Sequence, residues 1–358
     1  RLTADVTYYD KYTRDQIVES ELSYLSNYQR VIINSGKISN KGWEISVSGV
    51  PVKVKNFEWK TIFNWSKNNS MVESLPEGID KIQIGSGVYN VKSYAEVGKP
   101  YGAIYAKTFK RDAEGYILCQ LDGSPKEGQD YEYLGCVQAD WRGGWNNVFR
   151  LGNFSFSVMF DFQKGGKFFS QTSIQSSVDG QSVKSLEGRD ADFFSRKILG
   201  ESDEERYGFM RPQNANTPTA NGQIYPDWGR PKGVVLPNCR YDEDVEGLAG
   251  QPVLGYCTPE RYWMHYTSRD ISRFIYDASY IKLREITVSY DLPKKWLRKT
   301  PFQTFRVAAV GRNIATLFAN TPHGLDPQAT STTGNAQGFE RGFNLPSATY
   351  GFDIKVSF

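Results

Sequence analysis

The sequence predicts an all-β fold: a transmembrane antiparallel β-barrel wall with long extracellular loops at one end and short periplasmic turns at the other. Three observations carry that expectation: side chains that alternate with a period of two, apolar faces rich in aromatics, and connections that alternate in length. The period is clearest in "SATYGFDIKVSF", where Ala348, Tyr350, Phe352, Ile354, Val356 and Phe358 share one face and Thr349, Gly351, Asp353, Lys355 and Ser357 share the other. Successive side chains of a strand point to opposite sides, so this pattern makes one face apolar and the other polar. Aromatics are 14% of the 358 residues and Gly is frequent at 33, a composition that favours strands and turns over helices.

Residues 2–9 alternate Leu2, Ala4, Val6 and Tyr8 against Thr3, Asp5 and Thr7. Residues 42–51 alternate Trp43, Ile45 and Val47 against Glu44, Ser46 and Ser48, and residues 56–67 set Phe57, Trp59, Thr61, Phe63 and Trp65 opposite Glu58, Lys60, Asn64 and Ser66. A weaker strand over 143–151 centres on Trp145, Phe149 and Leu151, and next to it Phe154, Phe156, Val158, Phe160 and Phe162 oppose Ser155, Ser157, Met159, Asp161 and Gln163. In "SYIKLREITVSYDL" the apolar set slips by one residue, from Ile281 and Leu283 to Ile286, Val288 and Tyr290. Such a slip predicts a β-bulge near Arg284 and Glu285. Residues 303–314 place Phe305, Val307 and Ala309 opposite Arg306, Ala308 and Arg312, and with the stretch from Ser347 the set comes to about eight strands.

Short turns fall at 51–56, 151–153 and 293–302, whereas the connections at 19–37, 70–141, 169–276 and 319–346 are long. An up-and-down barrel in an outer membrane sorts its loops in this way, and its lipid face is rimmed by aromatic girdles. A soluble β-sandwich has no reason to sort loop lengths, and its core favours Val, Ile and Leu. The polar face would line a wet lumen, with Lys282, Arg306 and Arg312 as lumen-facing charges that pair with whatever fills the lumen or steer an anionic ligand. The polar runs 214–222 and 331–338 read as loop or linker, and 200–210 as a short helix.

Forty-three basic and 40 acidic residues leave a net charge of +3, too balanced to argue for a nucleic-acid partner. No apolar run reaches the about 18 residues of a membrane helix, so a membrane role must use strands. The chain opens on "RLTADVTYYD", already in alternation, and reads as a piece of something longer. Cys119 with Cys136, and Cys239 with Cys257, read as two local disulfides in loops of an oxidising compartment, the alternative being buried thiols.

His265 and His323 lie in predicted loops without a metal-site or triad context, and phosphate-cradling or nucleophile motifs are absent, so catalytic residues, metal ligands and cofactors are not expected. Asp242, Asp244 and Glu246 alternate in a way that presents oxygens to calcium, but without the rest of a calcium loop they read first as a solvated turn. Tyr207, Tyr225, Trp228, Tyr256, Tyr262 and Trp263 crowd the longest loop. Flat aromatic faces of this kind stack on sugars, anchor a protein partner, or pack loops together.

The segments "GKISNKGWEISVSG", "DWRGGWNNVFRLGNFSFSVMFDFQKGGKFFSQT", "DASYIKLREITVSYDLP", "VGRNIATL" and "GLDPQAT", in order with the closing aromatic strand, resemble the C-terminal part of SusC/RagA-type TonB-dependent transporters, outer-membrane importers of the Bacteroidota. The resemblance implies that residues 1–358 form the last eight strands of a barrel of about 22, with the plug domain and the TonB-contacting segment elsewhere. It further implies import of oligosaccharides or peptides energised through TonB, a SusD-like surface lipoprotein as a lid, and location in the outer membrane of a Gram-negative bacterium. Phe358 then resembles the terminal aromatic signal read by the barrel-assembly machinery. The alternative function is a surface receptor or passive porin-like barrel without TonB coupling. An enzyme is not expected.

Overall fold

In a computed structural model, the described residues are 2–15, 17–21, 30–34, 36–121, 124–186, 234–257, 262–322, 324–329, 337–342 and 347–358. Eight long strands form one antiparallel sheet: β1 (Leu2–Arg14), β2 (Lys37–Val54), β3 (Phe57–Ser74), β4 (Trp141–Leu151), β5 (Phe154–Lys164), β6 (Tyr280–Asp291), β7 (Thr304–Ala319) and β8 (Thr349–Ser357). Their spatial order is their chain order, so the sheet is a meander, with β1 and β8 at its two edges. No helix among the described residues is long and apolar enough to cross a membrane, and strands alone form this wall.

Register explains why the alternation is so regular. The row Val54, Phe57, Leu151, Phe154, Tyr290, Val307 and Ile354 runs across seven strands, and the next row up joins Val52, Trp59, Phe149, Phe156, Val288, Ala309 and Phe352. Each strand thus contributes to an unbroken apolar surface, and side chains such as Leu151, Phe154 and Phe352 (85%) stand exposed. Ring pairs reinforce the rows, with Phe154 and Tyr290 centroids 4.6 Å apart and Trp59 and Phe149 at 5.9 Å. A face this apolar and exposed matches the lipid side of a barrel.

Two polar side chains sit on that apolar face, and each is satisfied by a neighbouring indole. Trp59 Nε1 donates to Asn147 Oδ1 at 3.0 Å, and Trp145 Nε1 donates to Thr61 Oγ1 at 2.8 Å. In lipid no water can take over such a bond, so the tryptophans shield as well as fill.

The predicted bulge is present. Met159 pairs with Glu285 and Phe160 with Leu283, leaving Arg284 unopposed, while across the other edge of β6 Asn313 and Ile314 stand between paired residues. Asn313 accommodates the kink with a left-handed backbone, φ 53°. The extra residue lets Ile281 and Leu283 on the long-loop side of the bulge, and Ile286 and Val288 on its short-turn side, all keep the apolar face. At Gly42 the requirement is space: a Cβ would collide with the Lys67 carbonyl oxygen of β3 and with the Tyr9 ring, which lies across β2 on the polar face.

The long connections build a second structure beyond the strand ends. A four-stranded sheet orders Glu132–Cys136, Ala103–Ala106, Lys92–Glu96 and Lys81–Ser86, and a three-stranded one orders Ile275–Asp277, Lys167–Ser170 and Phe339–Glu340. A third small sheet joins Pro252–Cys257, Val234–Tyr241 and Ile117–Cys119, and Ile17–Glu21 pairs with Arg30–Asn34. The short helix α1 (Gln171–Val178) is capped by Ser170, whose hydroxyl accepts from the Ser173 amide. Here burial is that of a soluble protein: one cluster gathers Val91, Ile104, Phe169, Ile174, Phe274 and Phe339, and another Phe109, Tyr241, Tyr262, Trp263 and Tyr266.

Candidate ligand-facing surface

The polar face of β4 to β7 carries a connected ionic network at the long-loop end. Lys282 is 1% exposed, and its Nζ donates to both Asp326 oxygens at 2.5 Å and to Gln328 Oε1 at 3.0 Å. The bulge aims Arg284 into the same cluster, where its guanidinium donates to Gln328 Oε1 at 2.7 Å, to Asn313 Oδ1 at 3.2 Å and to Asp161. The Tyr280 hydroxyl donates to Asp161 at 3.2 Å and accepts from Gln328 Nε2. A buried ammonium is tolerated only when its charge and its donors are matched, as they are here. The network fastens the "LDPQ" segment of the last long loop to the inner wall.

Beside this network the inner face is hollowed. A groove of about 510 Å³ is lined by Asp5, Glu44, Ser46, Asn64, Arg142 and Asp161 among others. Two further hollows, of about 410 and 240 Å³, adjoin it, and Arg142 lines all three. Arg142 Nε donates to Gln163 Oε1 at 3.0 Å, which fixes the guanidinium at the junction. Cationic, anionic and amide groups in one concavity suit a polar ligand bound through hydrogen bonds.

The three lumen charges expected from the sequence lie on the polar face, and each is neutralised within the chain. Lys282 pairs with Asp326, Arg306 makes a bidentate pair with Asp291 at 2.6 and 2.8 Å, and Arg312 donates to Glu285 at 3.0 Å. Lys282 is buried by its partner and belongs to the wall's own network, whereas Arg306 and Arg312 keep exposed guanidinium surface on the polar face. Arg142, Asp161, Arg284 and Gln328 were missed as site residues, although the bulge signal at Arg284 marked the place.

Among the loop aromatics, Tyr207, Tyr225 and Trp228 lie outside the described residues, as do the segments 200–210, 214–222 and His323. Tyr256 belongs to Pro252–Cys257, where its backbone pairs with Val235; its side chain is outside the description. Tyr262 and Trp263 are 0% and 3% exposed, their rings meeting edge-on at 5.1 Å. Display of these two to a ligand or a lid is therefore corrected: they are loop core. His265, on the same turn, is exposed.

The cysteine expectation is also corrected for Cys119 and Cys136. They sit in different small sheets, the Cys136 thiol donates to the Tyr101 carbonyl at 3.5 Å, and the Cys119 thiol faces the Ile117 carbonyl at 3.9 Å. Burial pushes the Cys136 thiol up from its ordinary pKa, which keeps it protonated. Cys239 is buried in the same cluster as Cys119, and the Cys257 side chain is outside the description.

The segment 242–246 is the turn the sequence predicts, with Asp244 and Glu246 exposed to solvent, but Asp242 is buried at its start. Lys126 Nζ lies between the two aspartates, at 2.7 Å from Asp242 and 2.5 Å from Asp244, and Lys110 reaches Asp242 at 2.8 Å. Burial acts to raise the Asp242 pKa, but hydrogen bonds from Lys110 and Lys126 outweigh it and hold the carboxyl at about 2. Ammonium groups occupy the place a calcium ion would need. Phe358 is exposed, its ring 5.3 Å from that of Phe302.

No protein-family model matches the chain. It is 23% identical over 372 residues to the TonB-dependent receptor P3 of Formosa agariphila, an alignment spanning 98% of this chain and 31% of that receptor. TonB-dependent receptor P26 of the same bacterium is 26% identical over 189 residues, 47% of this chain and 19% of its own length. Among solved structures, the RagAB peptide transporter superposes over 100% of this chain and 34% of its own, with TM-score 0.60 at 17% identity. The RagAB peptide importer in its closed-closed state gives 0.61 at 16%, again with 100% and 34% covered. The chain thus spans about a third of the length of the proteins it resembles. In sequence the chain resembles TonB-dependent receptors, and in fold it resembles part of the RagAB transporter, whose barrel type the eight-stranded sheet matches as a partial wall.

Proposed function

We propose that the chain forms barrel wall and extracellular rim of an outer-membrane importer energised through TonB, which takes up oligosaccharides or peptides beneath a SusD-like lipoprotein lid. The observation that carries this reading is the sorting of the sheet. Apolar rows face one way, an ionically lined hollow faces the other, and every long connection leaves from the same end. Outward apolar rows make the wall a lipid boundary, and the hollow gives a polar ligand hydrogen-bond partners on its way through. The loops form a cored rim, a firm seat for a lid. The chain's part in transport is to bind, orient and enclose, without covalent chemistry.

The test uses the whole protein in its own cell. A deletion strain complemented with the full gene is offered labelled oligosaccharides and labelled peptides, with TonB present or removed. Saturable uptake of one of the two classes, lost on removal of TonB, is the expected outcome and identifies the ligand. Uptake that persists without TonB would mark a passive pore and overturn the reading.

A further inference from the structure

The short-turn end of the sheet carries a feature that import does not require. Two of the three turns there are tight, at Lys55–Asn56 and Gly152–Asn153, but the third runs from Leu292 to Gln303 and holds a short helix, α2 (Lys294–Leu297). It contains Lys294, Lys295, Arg298 and Lys299 and no acidic residue, so the remaining chain is balanced at 39 basic against 40 acidic residues. The chain's entire positive excess therefore sits in one turn. All four side chains are exposed, and none has a carboxylate partner among the described residues.

The turn is ordered. Trp296 N donates to the Pro293 carbonyl at 2.9 Å, Thr300 N to the Leu297 carbonyl at 2.9 Å, and Leu297 is buried beneath it. Its two ends are tied to the wall by the Leu292 amide on the Phe305 carbonyl at 2.8 Å and the Gln303 amide on the Ser357 carbonyl at 2.7 Å. Trp296 is 60% exposed in the middle of the basic cluster. Phe302 continues the apolar face, its ring 5.9 Å from Phe305 and 5.3 Å from Phe358. The cluster thus begins where the aromatic edge of the lipid-facing surface ends.

We propose that Lys294, Lys295, Trp296, Arg298 and Lys299 form a docking surface for anionic phospholipid headgroups of the membrane leaflet at the short-turn end. The occupant is fixed by two complementarities. Four uncompensated cations match phosphate-bearing headgroups, and an exposed indole at the rim of an apolar band matches the level where headgroups meet acyl chains. Continuity with Phe302, Phe305 and Phe358 sets the depth, because those rings cover the acyl region directly above. Both the wall and its contents gain from the contact: it fixes the sheet's height in the bilayer, and it gives β6 and β7 an anchor at the end opposite the ionic network around Lys282. The inference rests on the membrane reading of the apolar rows.

The experiment uses the whole protein, purified in detergent and supplied with phosphatidylglycerol and phosphatidylcholine in equal amounts, with retained lipid counted by native mass spectrometry. The expected result is preferential retention of phosphatidylglycerol, falling about tenfold when the four cations become Gln. The variant with Lys294→Arg, Lys295→Arg and Lys299→Arg should keep the preference. Nitroxide-labelled headgroups should quench a part of the tryptophan emission that disappears in Trp296→Phe. Retention unchanged by the Gln substitutions overturns the proposal, as does a preference abolished equally by soluble glycerol phosphate, which would identify a free anion as the ligand. Heat-modifiable migration on gels reports whether each variant is a folded barrel, so a failure of the membrane reading shows separately as its absence in the unmodified protein.

Discussion

The wall and the rim use the same side chains to opposite ends. Along β1 to β8 large apolar residues point outward and stay exposed, from Leu2 and Val6 to Phe352 and Ile354, whereas in the long connections beyond them Phe109, Phe169, Ile174, Phe274 and Phe339 are buried. The wall is stable only where lipid completes it, because exposing such rows to water reverses the hydrophobic gain. The rim carries its own cores and needs none. A single chain thus contains a part whose inside is the membrane and a part whose inside is itself.

That contrast is sharpest where one region can be broken alone. Truncating Phe274 to Ala in the rim core should cost about 3–5 kcal/mol of local stability, read as new protease cleavage in the loops while heat-modifiable migration is retained; loss of the barrel as well would show that the two regions fold as one. Next in size, Val158→Arg on the lipid face should cost about 2–4 kcal/mol if that row lies near the bilayer midplane, measured by urea unfolding from liposomes, with loop proteolysis unchanged at low denaturant.

Lowering the pH should loosen the rim before the wall. The Asp242 carboxyl is held at about 2, below its ordinary value of 3.8, so its contribution of about 2 kcal/mol is present above pH 4 and is lost as pH falls from 4 through 2. Hydrogen exchange at 110–126 and 239–245 should rise in that window, and Asp242→Asn should remove the dependence. The smallest effect belongs to the wall: Trp59→Phe withdraws the donor from Asn147 and should lower barrel stability by about 1 kcal/mol, an effect that Asn147→Val made in the same chain should cancel.

Much of the wall was legible in the sequence because each strand reports its own two faces. All eight predicted strands occur in the eight-stranded sheet, and the slip at Arg284 is a bulge. The strands run further than expected at the long-loop end, β3 to Ser74 and β1 to Arg14, because outside the bilayer a strand such as "KNNS" (67–70) is polar on both faces and its alternation vanishes. The rim was not legible. Its strands are as short as Phe339–Glu340, and their partners lie far off, as where Glu340 receives the hydroxyls of Ser170 and Thr172, each at 2.6 Å. The site was half legible for the same reason: Lys282 was placed on the polar face, but its partner Asp326 comes from a loop 44 residues later.

The pairing of Phe169 with Phe339, strand beside parallel strand, also sets an order in time. A segment in the third long connection cannot complete its sheet until a segment of the fourth has come alongside it. Closing a loop of that length is slow compared with forming neighbouring hairpins. Hairpins of the wall can therefore zip in succession as they emerge, while the surface that meets the outside world is sealed only after β7 has been laid down. A molecule lacking the Phe339–Glu340 strand would present an unfinished rim, with the buried faces of Phe169, Ile174 and Phe274 uncovered.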